Sequence, residues 1–368
     1  MEEVLEKLNK TKFDGLYKNK DREFESQEER RKEMLNSQKA NRSNLTDTFR
    51  GVLGLVDTVE GSNIFQEEVR VAYRPQIYVA GFNKCAYKDV LMLSEWMIEK
   101  PHDFHENWYV VPCPKGIRTL LVASQGKTKL FTRDGYLIRT LQSVLPGGGV
   151  QTQGRKNGCC ILDGFFMPST NTLYILDLLA WNNHLMADGE TEFRHYWMLT
   201  QYEENPELRK HTNNNQLKFE IIPKEPCDAR NFSEFMMQMP HFPNFNPKLD
   251  GLLFFHKKAH YVSGVTPLVG WLFPYMVPEV FGPGIKINLG YMQEKPDDYI
   301  NQRDFITKFQ NNVRQKKVRR PRRNIQMDTT PPGDQSDLVV LETLAESGAF
   351  DCEESGGSNE ASGVSMME

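Results

Sequence analysis

No run in this chain approaches the ~18 consecutive apolar residues of a membrane-spanning helix. The first ten residues, MEEVLEKLNK, lack the apolar centre of a secretory leader. Six cysteines (Cys85, Cys113, Cys159, Cys160, Cys227, Cys352) form no C-x-x-C pair, and the eight histidines stand at no zinc-ligand spacing around them. Cys159 and Cys160 are adjacent, which is poor geometry for bridging each other. The expectation is reduced thiols in a nuclear or cytosolic protein, with no metal site and no membrane partner. Basic residues are missing from the carboxy-terminal stretch: none follows Arg323, while ten carboxylates and many Gly and Ser do, a composition expected to be disordered. No internal repeat is visible. What is present, 39% hydrophobic and 11% aromatic residues in 368, is enough for a globular domain, and a mean hydropathy of -0.57 says that polar segments are attached to it.

Taken in order, residues 1–16 place Met1, Val4, Leu5, Leu8 and Phe13 where they line one side of a short helix with an extended end. A helix this short is marginal in water, so the segment is either a frayed terminus or a docking peptide that folds in a partner's groove. Residues 17–52 are charged and helical. Ser26 and Glu29 form an S-x-x-E capping box, and Glu28 and Lys32 stand at i,i+4. Apolar positions are sparse, so this helix presents no wide face to its own core and reads as a solvated spacer or as a segment wrapped by another protein. Eleven Lys/Arg against eight Asp/Glu between Lys10 and Arg50 make it only mildly basic. Residues 53–85 read as a linker, 86–305 as the globular domain, and 306–368 as a basic run (VRQKKVRRPRR, 313–323) with the acidic tail.

Within the domain, Tyr87–Lys100 reads as an amphipathic helix or helix plus turn, with Leu91, Leu93, Trp96 and Met97 on its apolar side. WYVVPCPKGIRTLLVAS (108–124) reads as a hairpin around the Cys113-Pro114-Lys115-Gly116 turn. KTKLFTRDGYLIRTL extends it through an Asp134-Gly135 turn. LPGGG (145–149) reads as a flexible loop. CCILDGFFM and TLYILDLLAW read as an antiparallel pair, FRHYWMLTQY as a helix, LKFEII as a strand, Phe232–Met239 as a short helix, and GLLFFHK and LVGWLFPYM as further strands. Strands alternating with occasional helices predict an α+β domain of antiparallel sheets with flanking helices.

Four segments resemble, in order, the motifs of the mRNA capping enzyme and ligase nucleotidyltransferase fold. In that fold a K-x-D-G-x-R turn supplies a lysine nucleophile. Here the turn is C-P-K-G-I-R, with Cys113 in the nucleophile's place and Lys115 displaced. The D-G-E strand matches Leu162-Asp163-Gly164-Phe165, so its last carboxylate is phenylalanine. A D-G-hydrophobic strand matches Asp250-Gly251-Leu252-Leu253-Phe254, and the final motif, which needs two lysines, is Val269-Gly270-Trp271. Covalent nucleotidyl transfer needs an amine and a carboxylate, and both are replaced. Nothing in the sequence supplies an activating base for Cys113. The expectation is a pocket that binds without catalysing and without a cofactor; the enzymatic alternative is a guanylyltransferase-like protein, and a third reading is a general RNA-binding protein working through 313–323.

Over roughly 10–290 the chain also resembles the snurportin family of nuclear import adaptors, through LMLSEWMIEKP, WYVVPCPKGIR, LVASQGKT, the LPGG loop, FRHYWM, DGLLFFHK and TPLVGWLFPYMV. The resemblance implies a domain that binds the trimethylguanosine cap of spliceosomal small nuclear RNAs, an importin-β-binding helix, an exportin epitope in residues 1–16 (Met1, Val4, Leu8, Phe13), and shuttling between cytoplasm and nucleus. It places Trp271 at the stacking position, where an indole gains both stacking and cation–π attraction from an N7-methylated guanine. It places Trp96, beside Ser94, at the wall facing the N2 methyls, where an apolar surface suits a group that has lost both donors. Cys113 then lines the floor, and Arg118 and Arg133 are the candidates for the triphosphate, Arg133 standing where a lysine is expected. The alternatives read Trp271 and Trp96 as core residues and Arg118 and Arg133 as solvated strand ends. For the importin-β helix the matching cations are Arg30, Arg31, Lys32, Lys39 and Arg42, diluted by Glu23, Glu25, Glu28, Glu29 and Glu33. The run at 313–323 is outside the family pattern and reads as an RNA phosphate contact, a localisation signal or a solvated tail.

Overall fold

A computed structural model describes residues 26–40, 50, 52–54, 56, 87–149, 158–243 and 246–319. The expectations for residues 1–16, for most of the 53–85 linker, for Arg42 and for the acidic tail lie outside the described residues.

Two sheets face each other across one core. The first has five strands in the order β1-β12-β11-β2-β10: β1 (Met92–Trp96), β2 (Trp108–Pro114), β10 (Glu225–Pro226), β11 (Leu249–His256) and β12 (Gly264–Leu272). All its pairings are antiparallel except β1 with β12. The second follows the order β5-β4-β3-β6-β7-β8, from β3 (Ile117–Ser124), β4 (Lys127–Thr132), β5 (Leu137–Leu141), β6 (Cys160–Met167), β7 (Thr172–Trp181) and β8 (His184–Leu185), with β9 (Lys218–Ile221) parallel to β7. Side-chain alternation splits the central strands of this sheet between two cores. Leu120, Val122, Ile161 and Phe165 point to the first sheet, and Leu121, Ala123, Leu162 and Phe166 point to the outer face. That outer face is covered by Met198 of helix α2 (Thr191–Glu204) and by Leu208 and Leu217. Burial on both faces is why these strands read as continuous apolar runs. The expected α+β class with antiparallel sheets matches this arrangement. So do the Asp134-Gly135 turn, where Gly135 sits at φ 79°, and the β6–β7 pair.

Two local expectations give way to long-range pairing. Residues 108–124 are not a hairpin. β2 pairs with β10 and β11, β3 pairs with β4 and β6, and the Pro114–Gly116 turn is the corner at which the chain changes sheets. Lys115 N–H donates to the Lys248 carbonyl at 2.8 Å, which ties that corner to β11. Residues 87–100 are not a helix either. Leu91, Met92, Leu93, Ser94 and Trp96 are all buried, so both faces of the segment are covered, and it lies as strand β1 on the edge of β12. The LPGGG loop is ordered rather than loose: Gly147 sits at φ 80°, Gly148 N–H donates to Leu145 C=O at 2.8 Å, and a side chain at 147 would meet the Gly158 carbonyl.

Three further helices bear on the site. α1 (Gln27–Ala40) lies against the domain, α3 (Ala229–Met237) buries Phe232, Phe235 and Met236, and α4 (Gln302–Arg319) comes after the last strand. α3 begins on Asp228, whose carboxylate accepts from Asn231 N–H at 3.0 Å as an N-cap. The α1 start has the reciprocal capping box read from the sequence: Glu29 N–H donates to Ser26 Oγ at 3.1 Å, and Ser26 N–H to Glu29 Oε2 at 3.2 Å.

Candidate functional site

The edge of the first sheet brings two tryptophans together. β1 and β12 run parallel with Ser94 opposite Thr266, and then the register jumps, so that Glu95 faces Gly270 and Trp96 faces Trp271. An irregularity of this kind re-aims the side chain beyond it. The two indoles meet edge to face, with centroids 4.9 Å apart and planes at 81°. Beneath Trp271 lies Gly251 of β11, where an added Cβ would stand 2.5 Å from the indole Cζ2. Gly251 in turn pairs with Cys113 of β2. Cys113, fully buried, thus sits on the strand behind the bare backbone that the indole covers. Ser94, also buried, precedes Trp96 by one pleat. Four of the six predicted pocket residues therefore share one corner of the sheet.

The two arginines are placed differently. Arg118 is buried between the sheets and forms a bidentate ion pair with Asp163, Nε to Oδ1 at 2.6 Å and Nη2 to Oδ2 at 2.7 Å. It also lies 4.9 Å over the Phe165 ring. Asp163 accepts a further hydrogen bond from Tyr261 O–H at 2.8 Å, and Tyr261 itself accepts from Met92 N–H at 2.9 Å. Burial pushes the Asp163 carboxyl up, against the pull of the Arg118 charge. A second bidentate pair, Arg194 with Asp177, and the buried Lys224, whose ammonium donates to Leu176 C=O, complete a polar layer inside the core. Burial lowers Lys224 to about 8. Arg133 is half-buried at the β4–β5 turn, where its carbonyl accepts from Asp89 N–H at 3.4 Å, at the approach to β1. Among the described residues there is no cluster of three or more His, Cys, Asp or Glu able to hold a metal ion, and no helix is long and apolar enough to cross a membrane.

Comparison with known families decides the assignment. The family model of the snurportin1 m3G cap-binding domain matches residues 90–274, half of the chain, and the snurportin1 model matches residues 15–51. The chain belongs to the snurportin family. Among solved structures, a mycobacterial DNA ligase D complexed with ATP and MES is similar at 13% identity and a TM-score of 0.32, over 50% of this chain and 59% of that one. The ligase domain of DNA ligase D from M. tuberculosis gives 13% and 0.33, over 50% and 58%. A Lig E DNA ligase gives 17% and 0.31, over 50% and 68%. The chain thus spans little more than half the length of the first two.

The amino-terminal segment of this snurportin-family chain docks on its own domain, and it does so with polar groups. Gln27 Nε2 donates to Trp96 C=O at 2.8 Å while its Oε1 accepts from Ile98 N–H at 3.1 Å, so one side-chain amide stands in for a strand neighbour along β1. Arg30 holds Glu95 in a bidentate pair at 2.9 and 2.8 Å. Arg31 donates to Gln27 Oε1 and to Glu99 C=O and lies 5.3 Å over Trp108. Gln38 donates to Lys258 C=O at 2.8 Å. Lys32 pairs with Glu28 at 3.6 Å and is exposed, as is Lys39.

Motif matching includes Gly251 and Asp163 without their roles here, and leaves out Tyr261, Phe305 and Phe309. Gly251 is a glycine inside a strand, the usual sign of close approach to the backbone, and that signal is present in the sequence. No local pattern reveals that Asp163 pairs with Arg118, or that Tyr261 bridges Asp163 to Met92 N–H of β1. Phe305 and Phe309 of α4 flank Trp96 at 6.1 and 5.6 Å. Their i,i+4 spacing is visible in the sequence, but it straddles the point where the domain reads as ending.

Proposed function

We propose that this chain is a non-catalytic nuclear import adaptor: its domain binds the trimethylguanosine cap of small nuclear RNAs, and its amino-terminal helix engages importin-β. The observation that supports this most is the Trp96–Trp271 pair set over Gly251 and Cys113, within the stretch matched to the cap-binding family. Trp271 is the stacking platform for the N7-methylated base, Trp96 and Ser94 form the wall toward the N2 methyls, and Cys113 lies behind the floor. Arg133 supplies a cation for the triphosphate. Arg118, held by Asp163, supports the pocket from below rather than reaching phosphate. Enzymatic transfer is disfavoured because a buried thiol replaces the amine and a phenylalanine replaces the carboxylate. Arg30, Arg31, Lys32, Lys39 and Arg42 are the importin-facing cations, and the helix must leave the domain surface to present Arg30 and Arg31. Residues 1–16 serve an exportin that returns the empty adaptor, so the protein moves between nucleus and cytoplasm.

The test is a tryptophan-fluorescence titration with trimethylated and monomethylated cap dinucleotides. The expected outcome is quenching that prefers the trimethylated cap and a loss of roughly 10- to 100-fold in Trp271→Ala, the range of one stacked base. Equal, weak quenching by both caps would sink the cap assignment. A radiolabelled GTP adduct surviving denaturation and lost in Cys113→Ser would restore the guanylyltransferase reading.

A further inference from the structure

We propose that helix α4 is a lid on the cap pocket, so that the structure is the closed state and cap binding displaces the helix. This rests on the cap-binding function proposed for the Trp96–Trp271 corner. Trp96 is 6% exposed and Trp271 1%, so neither offers a face to a base as it stands. Phe309 meets Trp96 edge-on at 5.6 Å and 88°, and Phe305 meets it at 6.1 Å and 73°. Phe305 also closes over Phe273 at 5.6 Å, and Phe273 sits 4.5 Å from Trp271. The apolar surface that Trp96 would give two N2 methyls is therefore already occupied, and one surface cannot serve both.

Two observations indicate that the closure is replaceable. The Nε1–H groups of both Trp96 and Trp271 are buried without a hydrogen-bond acceptor among the described residues, a cost that a polar ligand or water entering the site removes. The start of the helix is held by few bonds: Gln302 Nε2 donates to Met97 C=O at 2.9 Å, and Gln302 N–H donates to Glu279 at 2.8 Å. Its outer side is charged, with Lys308 paired to Asp304 at 2.9 Å, so over residues 302–311 the apolar contact with the core is a narrow seam of Phe305, Ile306 and Phe309. A ligand that must first open such a seam binds more weakly by the fraction of molecules that are open.

The experiment uses the full chain and the trimethylated cap dinucleotide, in stopped-flow and equilibrium fluorescence. In Phe305→Ala/Phe309→Ala the association rate and the affinity are expected to rise together, by about tenfold, with little change in dissociation. Gln302→Ala, which leaves the aromatic seam in place, is expected to move both in the same direction by about twofold, and it serves if the double variant melts early. Unchanged or weaker affinity in both variants overturns the lid and makes the two phenylalanines ordinary wall or core residues. Absence of binding in the wild type and in both variants overturns the cap reading as well.

Discussion

The geometry around Trp271 and Arg118 makes single residues answerable. An alanine at 251 places a methyl 2.5 Å from the Trp271 ring, which Trp96 and Phe273 already enclose, so the ring or the strand must shift. Gly251→Ala is expected to cost about 1–3 kcal/mol in stability and to weaken cap binding by tilting the platform, measured by urea unfolding and by cap titration. A change in stability with no change in cap affinity would separate Trp271 from the base. Arg118 makes the opposite case. Its fork is filled by Asp163 at 2.6 and 2.7 Å with both side chains buried, so Arg118→Met leaves a carboxylate without its counter-charge. The expected loss is about 3–5 kcal/mol, largely recovered in Arg118→Met/Asp163→Leu. If Arg118 acted on phosphate instead, the single variant would lose affinity without moving the urea midpoint.

At the level of the element, α1 shows what a sequence can and cannot disclose. The capping box of Ser26 and Glu29 and the Glu28–Lys32 pair are local, and both are present. The docking of the helix was not legible, because apolar periodicity is the usual sign of a packed face and this helix packs through Gln27, Arg31 and Gln38. Burying such groups succeeds because each finds a backbone or side-chain partner. Gln27→Ala removes three of those bonds at once, to Trp96 C=O, from Ile98 N–H and from Arg31, and is expected to cost about 1–3 kcal/mol, seen as faster amide exchange across 28–38 and at Ile98. Unchanged protection would mean that Arg30, Arg31 and Gln38 hold the helix without Gln27. The same logic covers residues 87–100 and 108–124. Their composition is right for buried structure, but strand or helix, hairpin or corner, is decided by β11 and β12, more than a hundred residues later. Trp96, Trp271, Cys113 and Ser94 were legible through motifs. The pairing of Arg118 was not, since Asp163 reaches it, and Tyr261 reaches Asp163, only through the fold.

For the whole molecule, the buried polar layer and two enclosed histidines set how stability responds to pH. His195 is half-buried beside the Lys224 charge, and desolvation first, then that charge, lowers it to about 3. His241 is sandwiched between Phe235 at 4.1 Å and Tyr291 at 5.9 Å, and burial lowers it to about 4. Both are therefore neutral in the native state at pH 5, where the unfolded chain, with ordinary histidine values near 6.5, has bound the protons. The unfolded state then holds more protons, so stability falls as pH drops from 7 to 5, by about 2 kcal/mol for each histidine. Lys224 acts in the same sense on the alkaline side: the native state releases its proton near 8 while the unfolded chain keeps one to about 10.5. Its share of stability therefore rises with pH through that window. Urea unfolding at pH 7 and pH 5 checks the acid side. The wild type is expected to lose stability across this interval, and His241→Phe, which keeps an aromatic ring between Phe235 and Tyr291, is expected to lose about 2 kcal/mol less. An identical loss in both proteins would place the acid sensitivity elsewhere in the chain and leave His241 a ring in a stack, with no part in the titration.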